Sequence, residues 1–78
     1  MRHQVKLPRL GDTTQSVLVA EWLVDIGQTV AIGAPLLLVE TDKITTEVPS
    51  PVGGVVVEHL VDSRDEIDVG TPICVVEG

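Results

Sequence analysis

Few side chains in this sequence can do chemistry. Two histidines, His3 and His59, stand far apart, and neither has a neighbouring Ser, Cys or carboxylate pattern of the kind a catalytic triad needs. No spacing of His, Cys, Asp and Glu resembles a metal-ligand set. The single thiol, Cys74, lies in the apolar run Ile73-Cys74-Val75-Val76, where it fills space in a strand and has no disulfide partner. What remains is one amine. Lys43 lies in Glu40-Thr41-Asp42-Lys43-Ile44, with Glu47 just beyond, between two apolar segments with almost nothing to connect them.

Residues 36–41 and 44–48 both read as strands, so Asp42 and Lys43 are expected at the tip of a tight hairpin. Two-residue hairpins prefer Asn-Gly or Gly-x, because their central residues take positive φ. Asp-Lys supplies no glycine; a type I turn accepts both residues with some mismatch in twist. The tip therefore looks chosen for its side chains at some cost in geometry. An exposed lysine at a turn is also the commonest thing a surface contains. Lys6, the only other lysine, is the control: it is an ordinary outward-facing residue of the stretch Val5-Lys6-Leu7.

The elements that must hold the lysine form a repeat. Val19–Glu40 aligns on Val56–Glu77 at an offset of 37 without a gap, and nine of the 22 positions are identical. Each half reads as a long apolar strand, a polar corner, a very short strand, a Gly-x-Pro turn and a final apolar strand. The turns are Gly33-Ala34-Pro35 and Gly70-Thr71-Pro72. The expected strands are 3–7, 17–24, 29–31, 36–41, 44–48, 54–61, 66–68 and 73–77. In 44–48, Ile44, Thr46 and Val48 face one way and Thr45 and Glu47 the other. No helical stripe is present. One half cannot bury its apolar face alone, so two similar halves covering each other imply two antiparallel sheets about an approximate two-fold axis.

Composition agrees. The chain of 78 residues makes one domain, 1–78, at most. It is 44% hydrophobic with one aromatic residue, Trp22, so the core is Val, Leu and Ile, a β-branched mixture that favours strands. Trp22 reads as a packing residue, and Asp62-Ser63-Arg64-Asp65-Glu66 as a solvated corner. A net charge of −7 argues against nucleic acid and anionic membranes, which need a basic face. Apolar runs fall far short of a membrane span, and no signal peptide is visible.

Val39-Glu40-Thr41-Asp42-Lys43 resembles the lipoyl-attachment motif of the lipoyl domains of 2-oxo acid dehydrogenase complexes. The resemblance covers nearly the whole chain. Val5-Lys6-Leu7-Pro8 with Leu10-Gly11 resembles the family's opening strand, and Trp22-Leu23-Val24 with Gly27 and Thr29-Val30 its first long strand and corner. Glu47-Val48-Pro49-Ser50-Pro51 with Gly54 resembles the segment after the lysine, and Gly70-Thr71-Pro72 the last turn. The chain departs from the family at Ser16-Val17, where Glu-Gly is common, and at Gly53, where a residue such as Ala is common.

The resemblance implies an all-β fold: a flattened eight-stranded β-barrel or sandwich of two four-stranded antiparallel sheets with quasi-two-fold symmetry. Its lysine hairpin and its two termini lie at opposite ends. It implies that Lys43 is joined by an amide to lipoic acid, as N6-lipoyllysine. The domain is then a non-catalytic carrier whose parent chain is a dihydrolipoamide acyltransferase. Its swinging arm takes acyl groups and reducing equivalents between the E1, E2 and E3 active sites. These are a thiamine-diphosphate-dependent decarboxylase, the acyltransferase core and a flavin dihydrolipoamide dehydrogenase. A lipoate ligase or octanoyltransferase attaches the arm. Glu40, Thr41, Asp42, Ile44 and Glu47 are the expected recognition residues, the carboxylates forming an acidic collar. The location would be cytoplasmic in a bacterium and the mitochondrial matrix in a eukaryote.

Three alternatives share the architecture. A biotin carrier typically flanks its lysine with methionines, whereas Asp42 and Ile44 flank Lys43 and the sole methionine is Met1. The lipoylated shuttle of glycine cleavage is longer and differs before its lysine. An unmodified β-barrel that only binds proteins is the third.

Overall fold

The computed structural model describes residues 1–9, 16–41 and 44–78. Eight strands occur among them: β1 (Arg2–Lys6), β2 (Ser16–Trp22), β3 (Thr29–Val30), β4 (Pro35–Glu40), β5 (Thr45–Pro49), β6 (Gly54–His59), β7 (Glu66–Asp68) and β8 (Pro72–Glu77). They form two antiparallel four-stranded sheets, one in the order β1-β8-β6-β3 and the other β5-β4-β2-β7. The arrangement is a sandwich of two sheets rather than a closed barrel. Every expected strand is present. The expected features on residues 10–15 and on Asp42 and Lys43, the hairpin tip included, lie outside the described residues.

The repeat is a repeat of register. In the β2–β4 ladder Leu18 faces Glu40, Val19 faces Val39, Glu21 faces Leu38 and Trp22 faces Leu37, with Ala20 the extra residue of a bulge. In the β6–β8 ladder Val55 faces Glu77, Val56 faces Val76, Glu58 faces Val75 and His59 faces Cys74, with Val57 extra. Every pair in the second ladder is a pair of the first moved by 37 residues. The outer ladders match in the same way: Glu40 faces Thr45 where Glu77 faces Arg2, and both shift register at their far ends. The two sheets are therefore exchanged by an approximate two-fold axis, and each bulge adds twist where the sheets must wrap.

Both long strands stop sooner than their apolar runs do. The sequence carries apolar residues through Val24 and Val61, but the ladders end at Trp22 and His59. Val24 and Val61 are buried all the same, from inside the corners. At mated positions the chain turns back onto the next strand, Leu23 N–H donating to Leu36 and Leu60 N–H to Ile73 at 2.8 Å each. Burial and strand membership part company there.

The core comes from both halves: Val19 with Val56, Leu36 with Ile73, Leu37 with Cys74 and Val39 with Val76 are all without exposure. Trp22 and His59 are also mates, and their rings stack at 3.7 Å, 4° from parallel. The Trp22 indole N–H donates to the Val61 carbonyl at 2.9 Å, whereas Nε2 of His59 is buried with no hydrogen-bond partner. Gly54, at φ 154, lets β6 approach β8 so closely that a Cβ would strike the Glu77 carbonyl.

The chain ends close the second half. The Met1 ammonium donates to the Gly78 carbonyl at 2.8 Å, and Gly78 N–H donates to the Met1 carbonyl at 3.0 Å. This contact is the two-fold mate of the one that closes the hairpin between β4 and β5.

Candidate functional site

The site is built by β4 and β5. Val39 and Val48 anchor the pair in the core with no exposure, and alternation then turns Glu40, Thr45 and Glu47 outward. Among the described residues, the last contact between the arms joins Thr41 and Ile44. Thr41 N–H donates to the Ile44 carbonyl at 2.8 Å. The Thr41 hydroxyl donates to the same carbonyl and accepts from Ile44 N–H, each at 3.1 Å. Asp42-Lys43 is all the sequence that joins these two bonded residues.

Of the expected recognition residues, Glu40 and Glu47 share the outer face of the sheet. Cross-strand partners lie on one face, and the ladders place Thr45, Glu40, Leu18 and Glu66 in one row, with Glu47, Leu38 and Glu21 in the next. Thr41 is half-buried, its hydroxyl engaged inside the hairpin. Ile44 is 58% exposed, because the hairpin runs past the last row of core residues. Asp42 and Lys43 lie outside the described residues.

Three carboxylates on this face were not singled out from sequence: Glu21, Glu66 and Asp68. Glu21 belongs to the repeat, but the bulge at Ala20 decides its face. Glu66 and Asp68 belong to β7, which pairs with β2, fifty residues earlier, through Leu18 with Glu66 and Ser16 with Asp68. A long-range pairing of that kind leaves no local pattern; aligning the corner after β6 on the corner after β2 was the available signal.

Elsewhere the chemistry is quiet. Cys74 is fully buried, and burial pushes its thiol up to about 11. His59 is held in the stack with Trp22, as a packing residue. The one ion pair among the described residues, Arg2 with Glu77 at 2.9 Å, lies beside the chain ends.

A family described as "Biotin-requiring enzyme", the biotin and lipoyl attachment family, matches residues 3–76. The acetyltransferase component of the pyruvate dehydrogenase complex of Corynebacterium glutamicum is 46% identical over 69 residues, covering 88% of this chain and 10% of that protein. The succinyltransferase component of the 2-oxoglutarate dehydrogenase complex of Bartonella vinsonii is 38% identical over 77 residues, covering 99% of this chain and 19% of that protein. The chain thus spans between a tenth and a fifth of the length of these relatives. Among solved structures, the lipoyl domain of the 2-oxoglutarate dehydrogenase complex of Azotobacter vinelandii superposes with a TM-score of 0.73 at 24% identity, covering 96% of this chain and 95% of that one. A single-chain long-chain acyl-CoA carboxylase superposes with a TM-score of 0.76 at 20% identity, covering 95% of this chain and 7% of that one. Those two likenesses speak for the fold, and the family match speaks for the chain: it belongs to the biotin and lipoyl attachment family.

Proposed function

We propose that this chain is a lipoyl carrier domain of a 2-oxo acid dehydrogenase complex, with Lys43 as the attachment residue. The observation that carries the reading is the closure of the β4–β5 hairpin at Thr41 and Ile44, which leaves Asp42-Lys43 as the whole of its connecting segment. A modifying enzyme needs its target amine held by a rigid scaffold, and the paired strands on either side of this link supply one. The donor chemistry fits: a primary amine forms an amide with a carboxylic acid, and the modification trades a charge for a neutral tether. Lipoate, once attached, supplies a redox-active ring that can carry an acyl group.

The lipoyl reading is favoured over biotin by the flanks of the lysine, Asp42 and Ile44, where biotin carriers have methionines. Both relatives described above are named as dihydrolipoyllysine-residue acyltransferase components, which supports the same choice. The partners are then a thiamine-diphosphate decarboxylase, an acyltransferase core and a dihydrolipoamide dehydrogenase. Tethering raises the local concentration each of them meets to roughly millimolar. This chain's own task is to hold Lys43 on a stiff support.

Incubation with lipoate ligase, ATP and lipoate should add one lipoyl group to the wild-type chain and none to Lys43→Arg. Lys6→Arg should load normally. Loading of Lys43→Arg, or loading by biotin ligase and biotin instead, would contradict the assignment.

A further inference from the structure

Mated positions in the two halves separate what the fold requires at the end of a ladder from what is added beside the lysine. The outer ladders end on mated pairs, Glu40 with Thr45 and Glu77 with Arg2. One residue further on, Gly78 and Met1 exchange two bonds through main-chain atoms alone. Gly78 N–H donates to the Met1 carbonyl at 3.0 Å, and the Met1 ammonium donates to the Gly78 carbonyl at 2.8 Å.

Thr41 and Ile44, the mates of that pair, keep half of the pattern. Thr41 N–H donates to the Ile44 carbonyl at 2.8 Å, as Gly78 does to Met1. The reciprocal donor, Ile44 N–H, goes to the Thr41 hydroxyl at 3.1 Å, and the hydroxyl donates to the Ile44 carbonyl at 3.1 Å. A side chain thus makes two of the three hydrogen bonds that tie Thr41 to Ile44. Gly78 has no side chain, and the mated closure does without one. The hydroxyl therefore answers to what the two closures do not share, the link Asp42-Lys43. That link offers no glycine for the turns that match a hairpin's twist. A side-chain oxygen can take up a backbone N–H where a ladder carbonyl is not aligned to do so.

We propose that Thr41 is a positioning residue for attachment at Lys43: its hydroxyl pins the two ends of the link to each other and so narrows the orientations from which the amine is offered to the attaching enzyme. The proposal rests on the carrier reading and deepens it. It also gives Thr41 a different role from the recognition expected of it, since its hydroxyl is engaged within the hairpin. The reaction joins the lysine nitrogen to the lipoate carboxyl carbon as an amide, the water lost being taken up as ATP is split to AMP and pyrophosphate. In that step the reacting atom is the amine itself, one side chain from the link. After it, the reacting sulfurs lie on the order of 10 Å farther out along single bonds, whose own freedom exceeds any change at their base. The effect of Thr41 thus belongs to attachment and not to the later steps.

Thr41→Val keeps the branched shape and removes the hydroxyl; Thr41→Ser keeps the hydroxyl. With lipoate ligase, ATP and lipoate, KM for the Thr41→Val domain should rise about fivefold with kcat within twofold, because only a fraction of its conformers is competent to bind. Thr41→Ser should stay within twofold of wild type in both constants. Deuterium exchange at the Ile44 amide, followed by NMR, should quicken about tenfold in Thr41→Val and stay near wild type in Thr41→Ser. All three domains should melt within a few degrees of one another, since the bonds concerned are exposed. Once fully loaded, all three should be reduced by dihydrolipoamide dehydrogenase and NADH at the same rate. An unchanged KM in Thr41→Val would overturn the proposal. So would an equal rise in Thr41→Ser, or a parallel fall in the reduction of loaded Thr41→Val. Failure of wild type itself to load would instead strike the carrier reading beneath it.

Discussion

Trp22 and His59, 37 residues apart, hold the same place in the two halves of the repeat and stack face to face at 3.7 Å. Two equivalent residues can meet in this way only on the axis that exchanges them. The pair is unequal in one respect: the indole N–H reaches the Val61 carbonyl, while Nε2 of His59 is buried without a partner. His59→Phe keeps an aromatic stack and removes the orphaned nitrogen. It should stabilise the domain by about 1 kcal/mol. His59→Ala should destabilise it by roughly 2 kcal/mol through the lost stack and the space left beside Trp22. Urea unfolding followed by Trp22 fluorescence measures both.

The mates Gly27 and Arg64 both take left-handed backbone, at φ 95 and φ 78. Arginine tolerates that region poorly, whereas glycine enters it freely. Arg64→Gly should therefore raise stability by up to ~1 kcal/mol, the relief of strain being partly offset by a more flexible unfolded chain. Gly54→Ala should do the reverse. Its new methyl meets the Glu77 carbonyl, and a loss of ~2 kcal/mol or more is expected. Thermal melts of the two variants should move in opposite directions.

Cys74 gives the domain an alkaline weakness. Its thiol has a pKa of about 11 in the fold against 9.0 when exposed. Between those values the unfolded chain loses a proton that the native chain keeps, so stability falls as pH rises. Stability from this source is complete below pH 9 and is lost as pH rises through 11, on the order of 3 kcal/mol in all. Chemical denaturation at pH 8 and pH 10.5 should show the loss in wild type and a much smaller one in Cys74→Ala.

The contact between Met1 and Gly78 repeats the contact between Thr41 and Ile44. Residues 78 and 1 thus lie at the place that mates with the ends of the lysine hairpin. A circular permutant with Gly78 joined to Met1 by two residues, and opened between Asp42 and Lys43, should fold to the same two sheets. Its melting temperature should lie within a few degrees of wild type. A permutant that stays unfolded would mean that the hairpin does more for folding than its mate.

The fold was legible because the repeat is gapless: Gly33 and Gly70, Pro35 and Pro72, and the apolar runs between them place the inner strands in both halves at once. Strand ends were less legible. Val24 and Val61 are as apolar as strand residues, yet they are buried from corners, and hydrophobicity reports burial rather than ladder pairing. The bulges at Ala20 and Val57 carry no residue signature, so the face taken by Glu21 had to come from the register. For the site, Glu40 and Glu47 were legible from alternation along β4 and β5. Glu66 and Asp68 were not, because their neighbours on the face are set by the distant pairing of β7 with β2. The repeat made Trp22 and His59 equivalent; their meeting on the axis required the packing of the two sheets.

The whole functional account turns on the amine of Lys43. The most direct measurement is tandem mass spectrometry of the peptide containing Lys43, taken from the protein in its native host. A lipoyl group in amide linkage at Lys43, with Lys6 bare, is the predicted result. A bare Lys43 in a host whose other lipoyl proteins are fully loaded, or biotin in its place, would contradict it.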